Sequence, residues 1–322
     1  MTLEEAIHIY VRRKQASGLS FESALKKYKC FLRTVGNLPL REISAYHVLQ
    51  FLNRRQGSAS AFRAEHSVLR HFFDYWAARG AVAEFTMPIN LPWKRSKFIP
   101  YIFTKEEIHK LLRLVPLSKT SRDKIHQSTV RAAFVMLYAT GAMACEVTAL
   151  TRKDVDLLSE SLRFPGSRFK PSRRIPIGRD LLRVMRQYLK WRDRVGGQSE
   201  FLFARCDGTA INPGTLNSYF RRVRRAAEIS GYLQSSRHPC LIDLRATFAV
   251  HQINSWIRRK GDLNRLLPAL AAYMGNTGVE TTERYLKLAP MRFKNALNKL
   301  SPGEVGARWR NDPALLTFLT AL

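Results

Sequence analysis

The stretch Ser128–Ala142, STVRAAFVMLYATGA, is strongly apolar and is predicted to form a helix that ends near Gly141. Downstream, residues 161–178 read SLRFPGSRFKPSRRIPIG, where alternating residues interrupted by Pro and Gly predict short antiparallel strands. Helical periodicity returns at residues 179–195 and continues to the last part of the chain. The sequence therefore predicts a mainly α fold with a small antiparallel β-sheet.

The first 86 residues are predicted to form a separate unit. Apolar residues recur at helical spacing in four segments, at residues 3–18, 21–36, 43–55 and 58–80. Thr2 and Glu5 form a possible capping box at the start of the first segment. Four helices of this length make a small bundle, so we expect an N-terminal helical domain at 1–86.

A proline-rich basic segment follows this bundle. Residues 87–103 contain Pro88, Pro92 and Pro100, which favour a semi-extended linker. Thr104, with Glu107 three residues later, then predicts the start of a capped helix. We expect a linker at 87–103, a second domain at 104–300 and an apolar tail at 301–322. A basic linker between two basic domains would suit a clamp that encloses a duplex.

The charge of the chain indicates its partner. Lysine and arginine number 54 against 25 acidic residues, which gives a net charge of +29 spread along the whole chain. Such a field favours a polyanion, because neutralising phosphates releases condensed counterions. Nucleic acid is the leading interpretation, and a membrane surface or a ribosome-like assembly is the alternative.

The four cysteines, Cys30, Cys145, Cys206 and Cys240, lie far apart and show no zinc-ligand spacing. We therefore expect no zinc site. The opening residues are acidic where a secretory signal would be basic, and no apolar run is long enough to span a bilayer. We expect a reduced cytoplasmic protein, associated with the nucleoid if the host is prokaryotic.

Several clusters of cations are candidates for contacting the phosphate backbone. The segment 213–229 places basic residues opposite its apolar face, which suits a groove or a backbone, although a solvated face is the simpler alternative. The candidate DNA-binding residues are Lys94, Arg95, Lys97, Arg173, Arg174, Arg221, Arg222, Arg224 and Arg225.

Residues 279–290, VETTERYLKLAP, contain Tyr285 four residues after Thr281. In isolation, a tyrosine with apolar helical neighbours is most simply a packed aromatic residue. Three further strings change this interpretation. They are LYATGAMACEVTALTRKDVDL at 137–157, IDLRATFAVH at 242–251 and AAYMGNTGVETTERYLKL at 271–288.

These strings, in this order and spacing, resemble the three catalytic boxes of the tyrosine recombinase (phage integrase) family. The first string has Thr140, Gly141, Glu146, Leu150 and Asp154 at matching places, and IFTKEEIHKLL at 102–112 resembles the family's entry helix. The resemblance covers Ile102–Leu288. It implies a two-domain DNA clamp in which a tyrosine attacks a phosphodiester and forms a 3′-phosphotyrosine link, without metal or energy-rich cofactor.

The resemblance assigns roles to particular residues. Tyr285 would be the nucleophile and Arg245 one of two phosphate-clamping arginines. The strand lysine corresponds to Lys170 or Arg168, and Asn276 stands where the family has a histidine or tryptophan.

Two more positions depart from the family's pattern. Met143 occupies the place of the first arginine, and Ile242 occupies the place of the histidine in His-x-x-Arg. His238 lies four residues too early to fill that place.

Three functions stay open at this point. The first is site-specific recombination or integration for a mobile element. The enzyme would be divergent, with its missing arginine supplied by the linker or by Arg173 and Arg174. The second is an architectural or accessory subunit that binds DNA without cutting it. The third is an unrelated helical transcription regulator. The resemblance also implies a homo-oligomer, such as a synaptic tetramer, or a hetero-oligomer with related recombinases, built by docking the tail on a neighbour.

Overall fold

The structure is a computed structural model that describes residues 1–18, 21–54, 59–82, 99–118, 120, 123–166, 171–195, 199–232 and 237–289. The chain folds as two compact units, Met1–Ser96 and Lys97–Leu322. The division falls inside the segment 87–103, where the sequence predicts a linker. Because most of that segment and the tail at 301–322 lie outside the described residues, the linker and the docking tail stay predictions.

Among its described residues, the first unit contains four α-helices: α1 (Leu3–Ala16), α2 (Glu22–Val35), α3 (Ala45–Asn53) and α4 (Ala59–Ala77). The predicted capping box at Thr2 and Glu5 is present at the start of α1. Aromatic side chains fill the core of the unit, and Tyr10, Tyr28, Phe31, Phe51 and Phe72 are fully buried there.

The second unit contains eight helices and one sheet within the described residues. The helices are α5 (Lys105–Leu114), α6 (Gln127–Thr140), α7 (Ala144–Thr148), α8 (Arg179–Val195), α9 (Pro213–Ala226), α10 (Asp243–Arg258), α11 (Leu263–Met274) and α12 (Val279–Lys287). The strands are β1 (Val155–Asp156), β2 (Ser161–Phe164) and β3 (Arg173–Pro176), in the order β1-β2-β3 with antiparallel pairing throughout. The predicted capping box at Thr104 and Glu107 opens α5.

Helix α6 is the central element of this unit, and most of its residues are buried. Near its start, the Tyr188 hydroxyl of α8 donates to Thr129 Oγ1 at 3.2 Å. Near its end, Tyr138 forms a hydrogen bond of 2.9 Å with His251 of α10. Thr129 and Tyr138 lie nine positions apart, which corresponds to roughly 180° around a helix of 3.6 residues per turn. Helices α8 and α10 therefore contact opposite sides of α6.

The predicted class, mainly α with a small antiparallel sheet, is confirmed. Within the described ranges, no helix combines the length and apolar composition needed to cross a membrane.

Candidate active site

Arg245, on the first turn of α10, is the centre of the site and is 6% exposed. Its Nη1 donates to the carbonyl oxygen of Gly141 and, at 3.0 Å, to that of Met274. These carbonyls lie at the C-terminal ends of α6 and α11, where backbone oxygens lack helical partners and carry partial negative charge. One guanidinium therefore caps two helices at once, which explains why an arginine is stable at a buried position.

Both helix ends depend on glycines in the left-handed conformation. Gly141 has φ +63° and Gly275 has φ +71°, a region that residues with a Cβ rarely adopt. A Cβ on Gly141 would lie 2.5 Å from the ring of Phe248. The glycines let the chain turn sharply and bring the two carbonyls to the same guanidinium.

Asn276 connects Arg245 to helix α12. Its Oδ1 accepts from Arg245 Nη2 at 2.6 Å, and its Nδ2 donates to Thr282 Oγ1 at 2.9 Å. Thr282 is fully buried on the inner face of α12, one turn before Tyr285. The amide therefore fixes the helix that carries the tyrosine relative to the guanidinium.

Tyr285 is half-buried, and its ring packs against the apolar cluster between α10, α11 and α12. Its phenol lies near enough to the Arg245 guanidinium to act on the pKa of that group. Burial lowers the pKa of Arg245, whereas Tyr285 and the Glu146 carboxylate act to raise it. The tyrosine is thus both a packed aromatic residue and a neighbour of the buried cation.

A second arginine, Arg173 on β3, is partly buried and lies on the other side of the glycine turn. Its Nη1 and Nη2 donate to the two oxygens of Glu146 at 2.8 and 3.1 Å, and its Nε donates to the Tyr273 carbonyl at 3.1 Å. The guanidinium also lies 4.3 Å from the centroid of the Phe164 ring. A Cβ on Gly275 would lie 2.6 Å from Arg173 Nη1.

Glu146 is held between the two arginines. It also accepts a hydrogen bond of 2.8 Å from the Met143 amide. Burial acts to raise the pKa of Glu146, but the hydrogen bonds from Arg173 and Met143 and the charges of Arg173 and Arg245 outweigh it and lower that pKa. Glu146 is therefore ionised at neutral pH and compensates the charge of Arg173.

The two substituted positions lie at the ends of helices in this region. Met143 precedes α7 and is partly exposed, while Ile242 precedes α10 and is 46% exposed. Neither side chain can donate a hydrogen bond to a phosphate. His238 is exposed, and its Nδ1 lies 3.1 Å from the Ser230 carbonyl oxygen.

Five of the predicted site residues lie outside the described ranges: Lys94, Arg95, Lys97, Arg168 and Lys170. Arg174 is exposed on β3, directly opposite Arg163 of β2. Like charges opposite each other repel across a sheet, so an anion placed between the two side chains would be stabilised.

The predicted four-arginine face of α9 requires a correction. Arg224 is buried and donates to the Ile229 carbonyl at 2.6 Å, because it lies one turn after Phe220 on the core side of the helix. Arg222 is partly buried and binds Asp123 through two contacts of 2.7 Å. Arg221 and Arg225 are exposed. The exposed basic face of α9 is therefore narrower than the sequence predicts.

The sequence interpretation did not identify two partners that position the site. Glu146 was noted only as a matching residue, and its ion pair with Arg173 spans 27 positions, which no local pattern reveals. Thr282 was not singled out, although its place three residues before Tyr285 puts both on adjacent turns of one helix.

Comparisons with known proteins identify the family of the chain. A model of the phage integrase family matches residues 102–292, more than half of the chain. The chain is 28% identical over 307 residues to "Putative integrase/recombinase y4rB" of Sinorhizobium fredii, covering 93% of this chain and 97% of that protein. It is 24% identical to tyrosine recombinase XerA of Thermococcus onnurineus, covering 92% of this chain and 95% of that one.

Solved structures share the fold. A lambda integrase dimer bound to a COC′ core site aligns with a TM-score of 0.60 at 19% identity, covering 88% of this chain and 95% of that one. The integrase of transposon Tn1549, in complex with a circular intermediate DNA, aligns with a TM-score of 0.63 at 16% identity, covering 88% and 94%. With the sequence match across all three boxes, the chain belongs to the phage integrase family, the tyrosine recombinases.

Proposed function

We propose that this chain is a site-specific recombinase that cuts and rejoins double-stranded DNA through a phosphotyrosine formed on Tyr285. The observation that carries the proposal is the hydrogen-bonded chain from the buried Arg245 guanidinium through Asn276 to Thr282, one helical turn before Tyr285. A phosphoryl transfer needs a nucleophile in line with the leaving oxygen and a cation beside the non-bridging oxygens. In the proposal, the Tyr285 phenol is the nucleophile and the Arg245 guanidinium is the cation.

The proposed reaction conserves the phosphodiester. The Tyr285 oxygen loses its proton and attacks phosphorus, the bond from phosphorus to the 5′ oxygen breaks, and the 5′ oxygen takes up a proton. A 5′-hydroxyl of a second strand then attacks the phosphotyrosine and releases the phenol, so no cofactor is consumed. Arg245 would donate parallel hydrogen bonds to the phosphate oxygens. Lys170 or Arg168 would protonate the leaving oxygen, and Asn276 would position Arg245.

The remaining predicted cations form the proposed DNA-binding surface of the chain. We expect Lys94, Arg95 and Lys97 to contact phosphates, together with the exposed Arg174, Arg221 and Arg225. Arg173 is committed to Glu146, so its contribution would be to hold the site rather than to bind backbone. By analogy with relatives named as integrases and recombinases, we propose that the chain acts as an oligomer on two duplexes, in the service of a mobile element.

A second function is favoured by a specific observation. Met143 and Ile242 replace a cation and a proton carrier with side chains that cannot neutralise a phosphate. Loss of one preorganised donor typically lowers turnover by about 10²–10³. An architectural subunit that binds DNA while a related protomer cuts it would tolerate both replacements.

A nicked suicide duplex separates the two functions. Duplexes bound by the chain are first selected from a random-sequence pool, and a nick shortly downstream of the cleavage position then lets the short fragment that carries the released 5′-hydroxyl diffuse away. We expect a covalent protein–DNA adduct that is stable in denaturant and absent from the Tyr285→Phe variant. Retained binding of the selected duplexes with no adduct from the wild-type chain, at any nick position, would establish the architectural function instead.

A further inference from the structure

Helix α8 presents a row of cations that the proposed reaction does not use. Arg179, Arg183, Arg186 and Lys190 are all exposed, and their spacing of four, three and four positions places them within a narrow strip of the helix surface. They line a groove of about 380 Å³ whose other walls include Leu182 and Glu160. The opposite face of α8, with Leu181, Met185 and Tyr188, is buried in the core.

This strip lies away from the Arg245 site. Helix α8 contacts α6 through Thr129, and α10 contacts α6 through Tyr138, on the opposite side of that helix. Because the basic strip is the outward face of α8, it points further away from α10. A DNA segment held at Tyr285 would therefore approach the unit from a different direction.

The positive charge of the strip is largely uncompensated. Arg183 and Asp180 approach to 3.7 Å, but both side chains are mostly exposed, and such pairs contribute little. Arg186 makes a long contact of 3.4 Å with the Leu157 carbonyl. Asp193, further along α8, pairs with Arg152. Glu160 is the acidic residue that lines the groove, so four cations face one carboxylate there.

We propose that the α8 strip binds the phosphate backbone of a second DNA segment, distinct from the one held at Tyr285. From Arg179 to Lys190 the strip spans eleven helical steps, or about 16 Å at 1.5 Å per step. Duplex DNA offers one phosphate charge per about 1.7 Å of axis, so it matches a linear row of cations. Three of the four are arginines, whose planar guanidinium suits phosphate oxygens. An acidic polypeptide is the competing ligand.

The test uses the Tyr285→Phe chain, so that the result does not depend on cleavage. The protein is bound to an immobilised duplex carrying a selected site, and capture of a labelled second duplex without the site is measured against salt concentration. The test variant carries Arg179→Gln, Arg183→Gln, Arg186→Gln and Lys190→Gln. The matched control carries Arg258→Gln, Arg259→Gln, Lys260→Gln and Arg265→Gln, which removes three exposed arginines and one exposed lysine from the same unit.

We expect the test variant to capture the second duplex at least tenfold less than the control, with the first duplex bound equally by both. If all four side chains contact phosphates, the salt-dependence slope of capture falls by about 3–4, since each contact contributes about 0.9. Should the test variant lose its fold, the double variant Arg183→Gln, Lys190→Gln gives the same comparison with about half of that change in slope.

Three outcomes would overturn the proposal. Equal losses in the test and control variants would mean that only the overall charge matters. Parallel loss of the first duplex in the test variant would place the strip in the Tyr285 site. Displacement of the second duplex by polyglutamate at a lower charge concentration than by unlabelled duplex, seen in the control but not in the test variant, would assign the strip to an acidic polypeptide.

Discussion

Two arginines lie on either side of the Gly275 turn, Arg245 buried and Arg173 partly buried, and they differ in the oxygens that hold them. Arg173 binds both oxygens of an ionised carboxylate, that of Glu146. Arg245 donates to two carbonyls and one amide oxygen, all of them neutral. The first cation is compensated and ties β3 to α7, whereas the second keeps its charge available. Residue type alone does not distinguish a structural guanidinium from one that can receive a phosphate.

The largest effect is expected from Arg245→Lys. One ammonium group cannot reach the three oxygens and also present two parallel donors to a phosphate. We expect adduct formation on the nicked duplex to fall by about 10²–10³, with binding of that duplex little changed. Arg221→Lys, on the exposed face of α9, is the control. Equal activity of Arg245→Lys and the control would remove Arg245 from the reaction.

Glu146→Gln is expected to have the next largest effect, on stability. It leaves the Arg173 guanidinium, 14% exposed, without a compensating charge. Removing one partner of a buried ion pair costs about 3–5 kcal/mol, and the retained amide oxygen and residual exposure reduce this to about 2–3 kcal/mol. Denaturant unfolding measures it. Asp123→Asn, in the more exposed pair with Arg222, should cost less than about 1 kcal/mol. A cost for Glu146→Gln no larger than that for Asp123→Asn would contradict the comparison.

Gly275→Ala tests how closely Arg173 packs on the turn. The alanine would have to adopt a positive φ, and its Cβ would lie 2.6 Å from Arg173 Nη1. We expect a loss of about 2 kcal/mol in the free energy of unfolding, partly from backbone strain and partly from displacing Arg173. Gly208→Ala has a similar φ of +81°, but its Cβ would meet its nearest neighbour only at 3.9 Å, so it should lose about 1 kcal/mol. Equal losses would show that the guanidinium moves aside freely.

Asn276→Asp would convert the environment of Arg245 into that of Arg173. The new carboxylate would still accept from Arg245 but would neutralise it and could not donate to Thr282 unless protonated. We expect adduct formation to fall about tenfold, equivalent to about 1.4 kcal/mol, with the melting temperature nearly unchanged. Asn276→Gln is the control that preserves neutrality. Undiminished activity of Asn276→Asp would mean that the net charge at Arg245 is unimportant.

The smallest effect is a dependence of stability on pH. The folded-state pKa of Glu146 is lowered, so its contribution is fully present above the ordinary glutamate pKa of about 4.3 and is lost as the pH falls through the lower folded value. The difference in unfolding free energy between wild type and Glu146→Gln should be constant above about pH 5 and should narrow below about pH 4. A difference that widens on acidification would reverse the assigned direction.

The sequence predicts the class of fold, which the structure confirms, while the site residues read from the strings around Gly141, Arg245 and Tyr285 stay predictions. It does not predict the Glu146–Arg173 pair, which depends on packing β3 against α7. The burial of Arg224 can be predicted from the sequence, because Arg224 follows the buried Phe220 by one helical turn. The prediction of a four-arginine face did not take this spacing into account. The burial of Arg245 cannot be predicted from the sequence, because its partners are backbone carbonyls that come together only when the ends of α6 and α11 have folded.

Helix α12 has nine residues, and a helix of that length is marginal by itself in water. Its persistence therefore relies on tertiary anchors, and one of them is the amide–hydroxyl bond from Asn276 to Thr282. Releasing that anchor would displace Tyr285 and loosen the support of the Arg245 guanidinium in the same event. Under the proposed function, cleavage would therefore depend on whether this short helix is in place, and a neighbouring molecule that only holds or frees the helix would switch the reaction on or off without touching the phosphate.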